Sequence, residues 1–318
     1  MATDIVIADE RSATGVPDIS DPVENAGRAG GSGPRRFDWF QGASITVVAL
    51  FAIACIAPFW LIVASSFTSE DELVSSGYTF WPKHFSLEAY RAIFTGPSVL
   101  DAYLASLFIT VVGTTIALLT TSALAYVIAS NVRGLSRPLA IVSYLPMLFT
   151  GGLVPFYILI TQYLKLSNSL WAVILPGLVS PFLVFIMVSF FRALPADVLD
   201  AARIDGASEL RILIQVVVPM SKPILATIGL FYALTYWSEW FNALLFISDN
   251  SKFPLQLILQ NLIANVDSAQ AIQTSANASV PIYALRGALV AITIGPIIFL
   301  YPFVQRYFVK GLTLGATK

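Results

Sequence analysis

The chain has 318 residues, 57% hydrophobic and 12% charged, with a mean hydropathy of +0.77 and a net charge of −1. Soluble domains carry about 25% charged residues, so this chain has too little polar surface for a water-exposed fold and reads as an all-helical integral membrane protein. Near-neutral charge gives no footprint for nucleic acid, and one cysteine (Cys55) with one histidine (His84) leaves no internal disulfide and no zinc site.

Met1 to Gln41 is polar, rich in Gly, Pro, Ser and acidic residues, and predicts a disordered tail without the charged, apolar and cleavage-site pattern of a secretory signal. Arg35 and Arg36, followed by Phe37, Trp39 and Phe40, mark a membrane interface. Six apolar runs follow, each near the roughly 20 residues a helix needs to cross a bilayer. They are Ser44–Ser66, Tyr103–Ala129, Leu139–Tyr163, Leu170–Phe191, Ile224–Ile247 and Tyr283–Tyr307. The third contains Pro146, Gly151, Gly152 and Pro155, the fourth Pro176 and Pro181, and the sixth Pro296 and Pro302. Prolines within spans predict a bent, mutually packed bundle, because neighbouring helices must cover the freed backbone groups. Three segments result: the tail 1–41, a membrane domain 42–308, and a short tail 309–318.

Lysine and arginine set the orientation. With the N-terminus inside, 13 of the 18 basic residues fall on the cytoplasmic side, and only Lys83, Arg91, Lys165, Lys252 and Arg286 fall outside. Both termini are then cytoplasmic. Two outer loops are long, Thr68–Asp101, where Ser86 is placed to cap a short helix through Arg91, and Ser248–Pro281. No internal repeat of the kind found in many secondary carriers is visible.

The most polar stretch between spans is the inner loop 192–222. Ala196–Ile204 predicts a short helix opened by Pro195, Gly206 permits a sharp turn, and Ala207–Val218 predicts a second helix ending at Pro219 and Pro223. Leu199, Ala201, Ala202 and Ile204 give the first helix a small apolar surface. Two short helices meeting at a glycine form a knob that projects from the bilayer and needs a socket on a partner. Ala202 shares a face with Leu199 and is expected to meet that socket. Asp205 is expected to cap the second helix by accepting an amide near Glu209.

This stretch resembles the coupling loop of permease subunits of bacterial ABC importers, with its Glu-Ala-Ala, three residues, Gly, nine residues, Ile-x-Leu-Pro pattern. Here it reads Asp200-Ala201-Ala202, Gly206 and Val216-Val217-Val218-Pro219, and the longer AAxxDGA form is met by Ala201, Ala202, Asp205, Gly206 and Ala207. Asp replaces Glu at the first position, one methylene shorter, and valines replace Ile and Leu. The tail Lys310-Gly311-Leu312-Thr313-Leu314-Gly315-Ala316 is similar to the end of maltose-type sugar permeases, which enters the ATPase dimer. Gly151–Tyr157 with Leu170–Pro176 is similar to the subgroup handling oligosaccharides and polysaccharides, including an alginate importer. The resemblance implies a type I importer bundle in the bacterial inner membrane. Its implied partners are a second permease, two ATPase subunits that bind the ATP and magnesium, and an extracytoplasmic solute-binding protein. Leu199, Asp200, Ala201, Ala202, Asp205, Gly206, Ala207 and Pro219 would then contact the ATPases, joined by Lys310, Gly311, Leu312 and Gly315.

No GxxxxGK[ST] phosphate loop occurs, and His84 alone cannot build a hydrolytic site, so catalysis by this chain is not expected. Glu239 is the one carboxylate deep in a span, about 24 Å along a helix that starts at Pro223. A carboxylate there costs up to about 2.5–3.5 kcal/mol. With Tyr236, Trp237, Trp240 and Asn242 it is either part of a sugar path or an internal packing group. A proton- or ion-coupled carrier built on Glu239 is the alternative function.

Overall fold

The computed structural model describes residues 39–95, 97–132, 134–264, 282–296 and 298. Nearly all of the expected N-terminal tail, the second half of the Ser248–Pro281 loop, the far part of the sixth run and the whole Lys310–Lys318 tail lie outside the described residues. Two compact units meet within the first helix, at Ile56 and Ala57. The first contributes only residues 39–56 to the described chain; the second contains everything discussed below.

The described residues are helical, with one isolated bridge, Thr68 to Phe85, and no strand. Helix α1 is Trp39–Ser66, α2 Glu70–Ser76, α3 Glu88–Thr95 and α4 Pro97–Ala129. Ser86 does open α3, its hydroxyl accepting the Glu88 amide at 3.2 Å, and the helix runs past Arg91 to Thr95. Helix α2 carries Glu70, Asp71 and Glu72 in its first turn, where negative charge suits the helix dipole. Two of these acids reach outward to bind backbone. Glu72 accepts the amides of Lys83 and His84 at 3.1 and 2.8 Å. Glu70 accepts those of Tyr283 and Ala284, both at 3.0 Å.

Helix α5 is Ser136–Leu148 and α6 Leu153–Ile158, prolonged by a wide turn, Leu159–Tyr163. The third expected span is thus two helices separated by extended backbone around Gly151 and Gly152. Helix α7, Trp171–Ile174, passes through the tight turn Leu175–Gly177 and bends 47° into α8, Pro181–Arg192. Helices α9 (Ala196–Ile204), α10 (Glu209–Ile212) and α11 (Val218–Met220) form the inner loop, and α12 is Lys222–Trp237. The Glu209–Met220 segment meets α12 at 87°, so it lies across the end of that helix. Helix α12 stops at Trp237; the fifth run resumes only as α13, Phe241–Phe246, followed by α14, Leu255–Ala264, and α15, Ile282–Pro296. Among the described residues only Gly42–Ser66 and Val99–Ala129 are single helices long and apolar enough to cross a membrane, with the two bent pairs as further candidates.

Helix α4 is the centre of the bundle, packed most extensively on α12 and α8. Its buried stripe Ile109, Gly113, Ala117, Thr121, Ala125 recurs every fourth residue. Small side chains at this spacing let a neighbouring helix approach closely, the usual packing device where lipid replaces water. Two tyrosines of α12 use the approach. The Tyr232 hydroxyl accepts the Ser180 amide at 3.0 Å and lies 2.6 Å from Thr121 Oγ1, while Tyr236 donates to Ile174 O at 2.9 Å. Thr120 Oγ1 reaches Leu178 O at 3.2 Å. The broken backbone between α7 and α8 therefore has its polar groups bound by side chains of two other helices, as a break inside a membrane requires.

Candidate functional site

The predicted first helix of the inner loop is present with the expected bounds, Ala196–Ile204, with Pro195 preceding it in extended conformation. It ends in a Schellman motif. Gly206 has φ +78°; its amide donates to Arg203 O at 3.0 Å, and the Ala207 amide donates to Ala202 O at 3.1 Å. This motif needs a residue in the left-handed region and is often accompanied by apolar packing of the residues its longer bond joins. Here those residues are Ala202 and Ala207, both packed on the bundle core with Leu199, Leu213 and Val216. The Ala-x-x-Asp-Gly-Ala spacing is thus the chemistry of one helix stop.

Two expectations change. Asp205 is the last cap residue of α9, not the cap of the next helix, which starts at Glu209 behind Ser208. Ala202 and Leu199 face this chain's own bundle rather than outward. Asp200, Ala201, Asp205, Gly206 and Pro219 are exposed. So are several large apolar side chains, Ile204 at 86% and Leu210 at 66% above all, with Ile214, Val198 and Met220 less so. Ile204 belonged to the apolar surface read from sequence, but Leu210 did not; within the largely apolar run 210–218 the sequence does not single out the side that stays exposed.

One carboxylate ties the loop together. Glu209 Oε2 accepts the hydroxyl of Tyr126, near the end of α4. Its Oε1 accepts Arg203 Nε at 3.1 Å, and Arg203 reaches Asp200 Oδ1 at 2.9 Å. The Tyr126 hydroxyl and then the Arg203 guanidinium hold the Glu209 carboxyl below its usual range, against the opposing effect of partial burial. Arg203 is correspondingly held more firmly protonated, by Glu209 first and by Asp200 as well. Beyond the loop, Lys222 starts α12 and Ser221 forms the elbow, fully buried.

The five expected path residues do not gather round one cavity. Tyr236 and Trp237 are buried. Tyr236 is committed to Ile174 O, and Trp237 Nε1 donates to Thr293 O at 2.9 Å. Glu239 is not within a helix: it sits in the break between α12 and α13, where its Oε1 accepts the Asn242 amide at 2.9 Å. A carboxylate so placed caps the start of α13. Trp240 packs on the core and edge-on to Phe241, with ring centroids 5.7 Å apart. Trp237 alone borders a groove of about 680 Å³ between α4, α12 and α15, with Tyr103, Thr110, Thr114 and Ala233 among its other walls. Thr110 and Thr114 have buried hydroxyls with no partner among the described residues. No group of three or more metal-ligating side chains occurs among the described residues.

Residues 113–314 match the family described as binding-protein-dependent transport system inner membrane component. The chain is similar to Protein LplC of Bacillus subtilis (strain 168), 40% identical over 265 residues, covering 83% of this chain and 89% of that one. It is 34% identical over 271 residues to the polygalacturonan/rhamnogalacturonan transport system permease protein YtcP of the same organism, covering 85% and 94%. Among solved structures it is similar to a chain of a bacterial ABC transporter involved in the import of the acidic polysaccharide alginate, with a TM-score of 0.75, 29% identity, and coverage of 85% and 96%.

Proposed function

The chain belongs to the family of binding-protein-dependent transport system inner membrane components, and from that membership we propose that it is one permease half of an ATP-driven importer for an oligosaccharide or polysaccharide. The named functions of two similar proteins, one in polygalacturonan/rhamnogalacturonan transport and one in alginate import, support the substrate class. The observation that carries the mechanism is the 196–220 loop. It is a two-helix knob, fixed to its own bundle on one side and presenting Ile204 and Leu210 on the other. An exposed apolar surface on a polar loop marks a docking site, and its occupant is an ATPase subunit. Asp200, Ala201, Asp205, Gly206 and Pro219 surround that surface; Leu199, Ala202 and Ala207 set its position from beneath. The second partner is a homologous permease, and a solute-binding protein delivers the sugar on the opposite side. ATP and magnesium belong to the ATPase pair.

In this reading residues 42–308 form the membrane domain, both termini are cytoplasmic, and the Lys310, Gly311, Leu312 and Gly315 tail contacts the ATPases. Trp237 is the expected path residue we keep on the path, because it lines the groove. Glu239 as an ion site for a secondary carrier loses support, since a helix-capping carboxylate already has its role.

The test is purification of the tagged chain in mild detergent. Two ATPase subunits and a second permease should co-purify, and hydrolysis should rise when the solute-binding protein is added with its sugar. A chain that purifies alone and moves sugar in vesicles under an ion gradient without ATP would overturn the proposal.

A further inference from the structure

Tyr126 lies three residues from the end of α4, with 7% of its surface exposed. Its hydroxyl donates to Glu209, the first residue of α10. The same carboxylate accepts Arg203 of α9, and Arg203 holds Asp200. Both helices of the knob therefore converge on one carboxylate, and that carboxylate on one hydroxyl of the central helix.

The surroundings give this bond its importance. A cavity of about 410 Å³ is bordered by Tyr126 and Ala129 on α4, by Leu199 and Arg203 on α9, and by Phe191 at the end of α8. Knob and α4 are thus not packed solidly here, and the Tyr126–Glu209 bond starts from a residue of the cavity wall. The knob's remaining packing is apolar: Ile212 and Val217 are buried in the core, and Leu199, Ala202, Ala207, Leu213 and Val216 lie against it. Apolar contacts of that kind have no preferred direction and permit sliding, whereas a hydrogen bond to an ionised acceptor is short and directional. From Tyr126 inward, α4 is locked to α12 by Thr121 and Tyr232 and by the close fit of Gly113 on Tyr236.

We infer that Tyr126 is a positioning residue for coupling: displacement of the knob enters the bundle through the Tyr126–Glu209 hydrogen bond, so that α4 and the knob move as one body. This rests on the reading of the knob as the ATPase-docking element.

The experiment uses the assembled complex purified through this chain, in a Cys55→Ser background, with spin labels at Val198 on α9 and Leu100 at the far end of α4. Distances are compared without nucleotide and with ATP plus vanadate. In the otherwise native chain the Val198–Leu100 distance should stay within its resting distribution. Tyr126→Phe removes one oxygen and no packing volume, so ATPase subunits should still co-purify at native stoichiometry, but the distance should shift outside that distribution. Glu209→Gln keeps an acceptor for the hydroxyl and should stay close to native, while Glu209→Leu should behave like Tyr126→Phe. A Tyr126→Phe complex that holds its ATPases and shows no shift overturns the inference and leaves the functional reading intact. Absence of ATPase subunits from the native preparation overturns both.

Discussion

The ring of Tyr236 occupies the space in front of Gly113: a Cβ on that glycine would stand 2.9 Å from three ring carbons. On another side, a Cβ on Gly177 would lie 3.1 Å from the ring and its hydroxyl. Neither distance is compatible with an unshifted side chain, and the ring cannot retreat while its hydroxyl holds Ile174 O at 2.9 Å. Gly113→Ala should therefore destabilise the bundle by about 1–3 kcal/mol, the usual penalty for overpacking. Tyr236→Phe should cost about 1 kcal/mol through the lost hydrogen bond. Thermal unfolding in detergent, followed by tryptophan fluorescence, measures both, and a Gly113→Ala protein as stable as the parent would refute the close fit.

Glu70 caps a helix from more than 200 residues away, its two oxygens taking the Tyr283 and Ala284 amides in the first turn of α15. Carboxylate caps at a helix start are typically worth about 0.5–2 kcal/mol, from the hydrogen bonds together with the helix dipole. Glu70→Ala should speed hydrogen exchange of the first-turn amides of α15 by roughly tenfold, the equivalent of about 1.4 kcal/mol. Exchange in α12 should not change, because Glu70 binds the amides of Tyr283 and Ala284 and none in that helix.

The Glu209 carboxyl is held below its ordinary value of 4.5 by the Tyr126 hydroxyl and then by Arg203. A carboxylate with a depressed folded-state pKa stabilises the fold above its unfolded value, and that contribution disappears as pH falls through the folded one. The knob's attachment should therefore be constant from pH 7 to about pH 5 and weaken below about pH 4.5. Limited proteolysis of the 196–212 segment across this range should show faster cleavage only at the acid end. Glu209→Gln should flatten the profile.

Local chemistry was legible in the sequence, and long-range pairing was not. Ala196–Ile204, the turn at Gly206 and the long helix through Ala129 follow from proline, glycine and apolar run length, which act within a few residues. The break at Ser238–Trp240 carries neither glycine nor proline; it becomes visible only when Trp237 is seen bonded to Thr293, 56 residues away, and Glu239 to Asn242. Glu239 looked like a buried charge in mid-helix because a helical count assumes an unbroken helix. The start of the second loop helix moved from Ala207 to Glu209 because Ala207 belongs to the stop of the first, as the residue that closes the Schellman motif onto Ala202.

That shift changes what substitutions in the knob should do. Ala202 is half-buried against the chain's own core, so Ala202→Trp should first dislodge the knob, costing about 1–3 kcal/mol by overpacking. ATPase binding would then fall as a consequence of lost structure, seen as faster proteolysis of the loop. Gly206 is different: nothing lies within 4 Å of a Cβ placed there, and its φ is +78°. Gly206→Val should strain the backbone by about 1–2 kcal/mol, whereas Gly206→Asn, which tolerates the left-handed region, should be nearly silent. Ile204 and Leu210 are different again. Both are exposed on the chain alone, so Ile204→Asp and Leu210→Asp should leave melting temperature and loop proteolysis unchanged while reducing ATPase co-purification at least tenfold, a loss of about 1.4 kcal/mol or more. If the aspartate variants retain their ATPases at native stoichiometry, the exposed apolar surface of the knob is not the docking site.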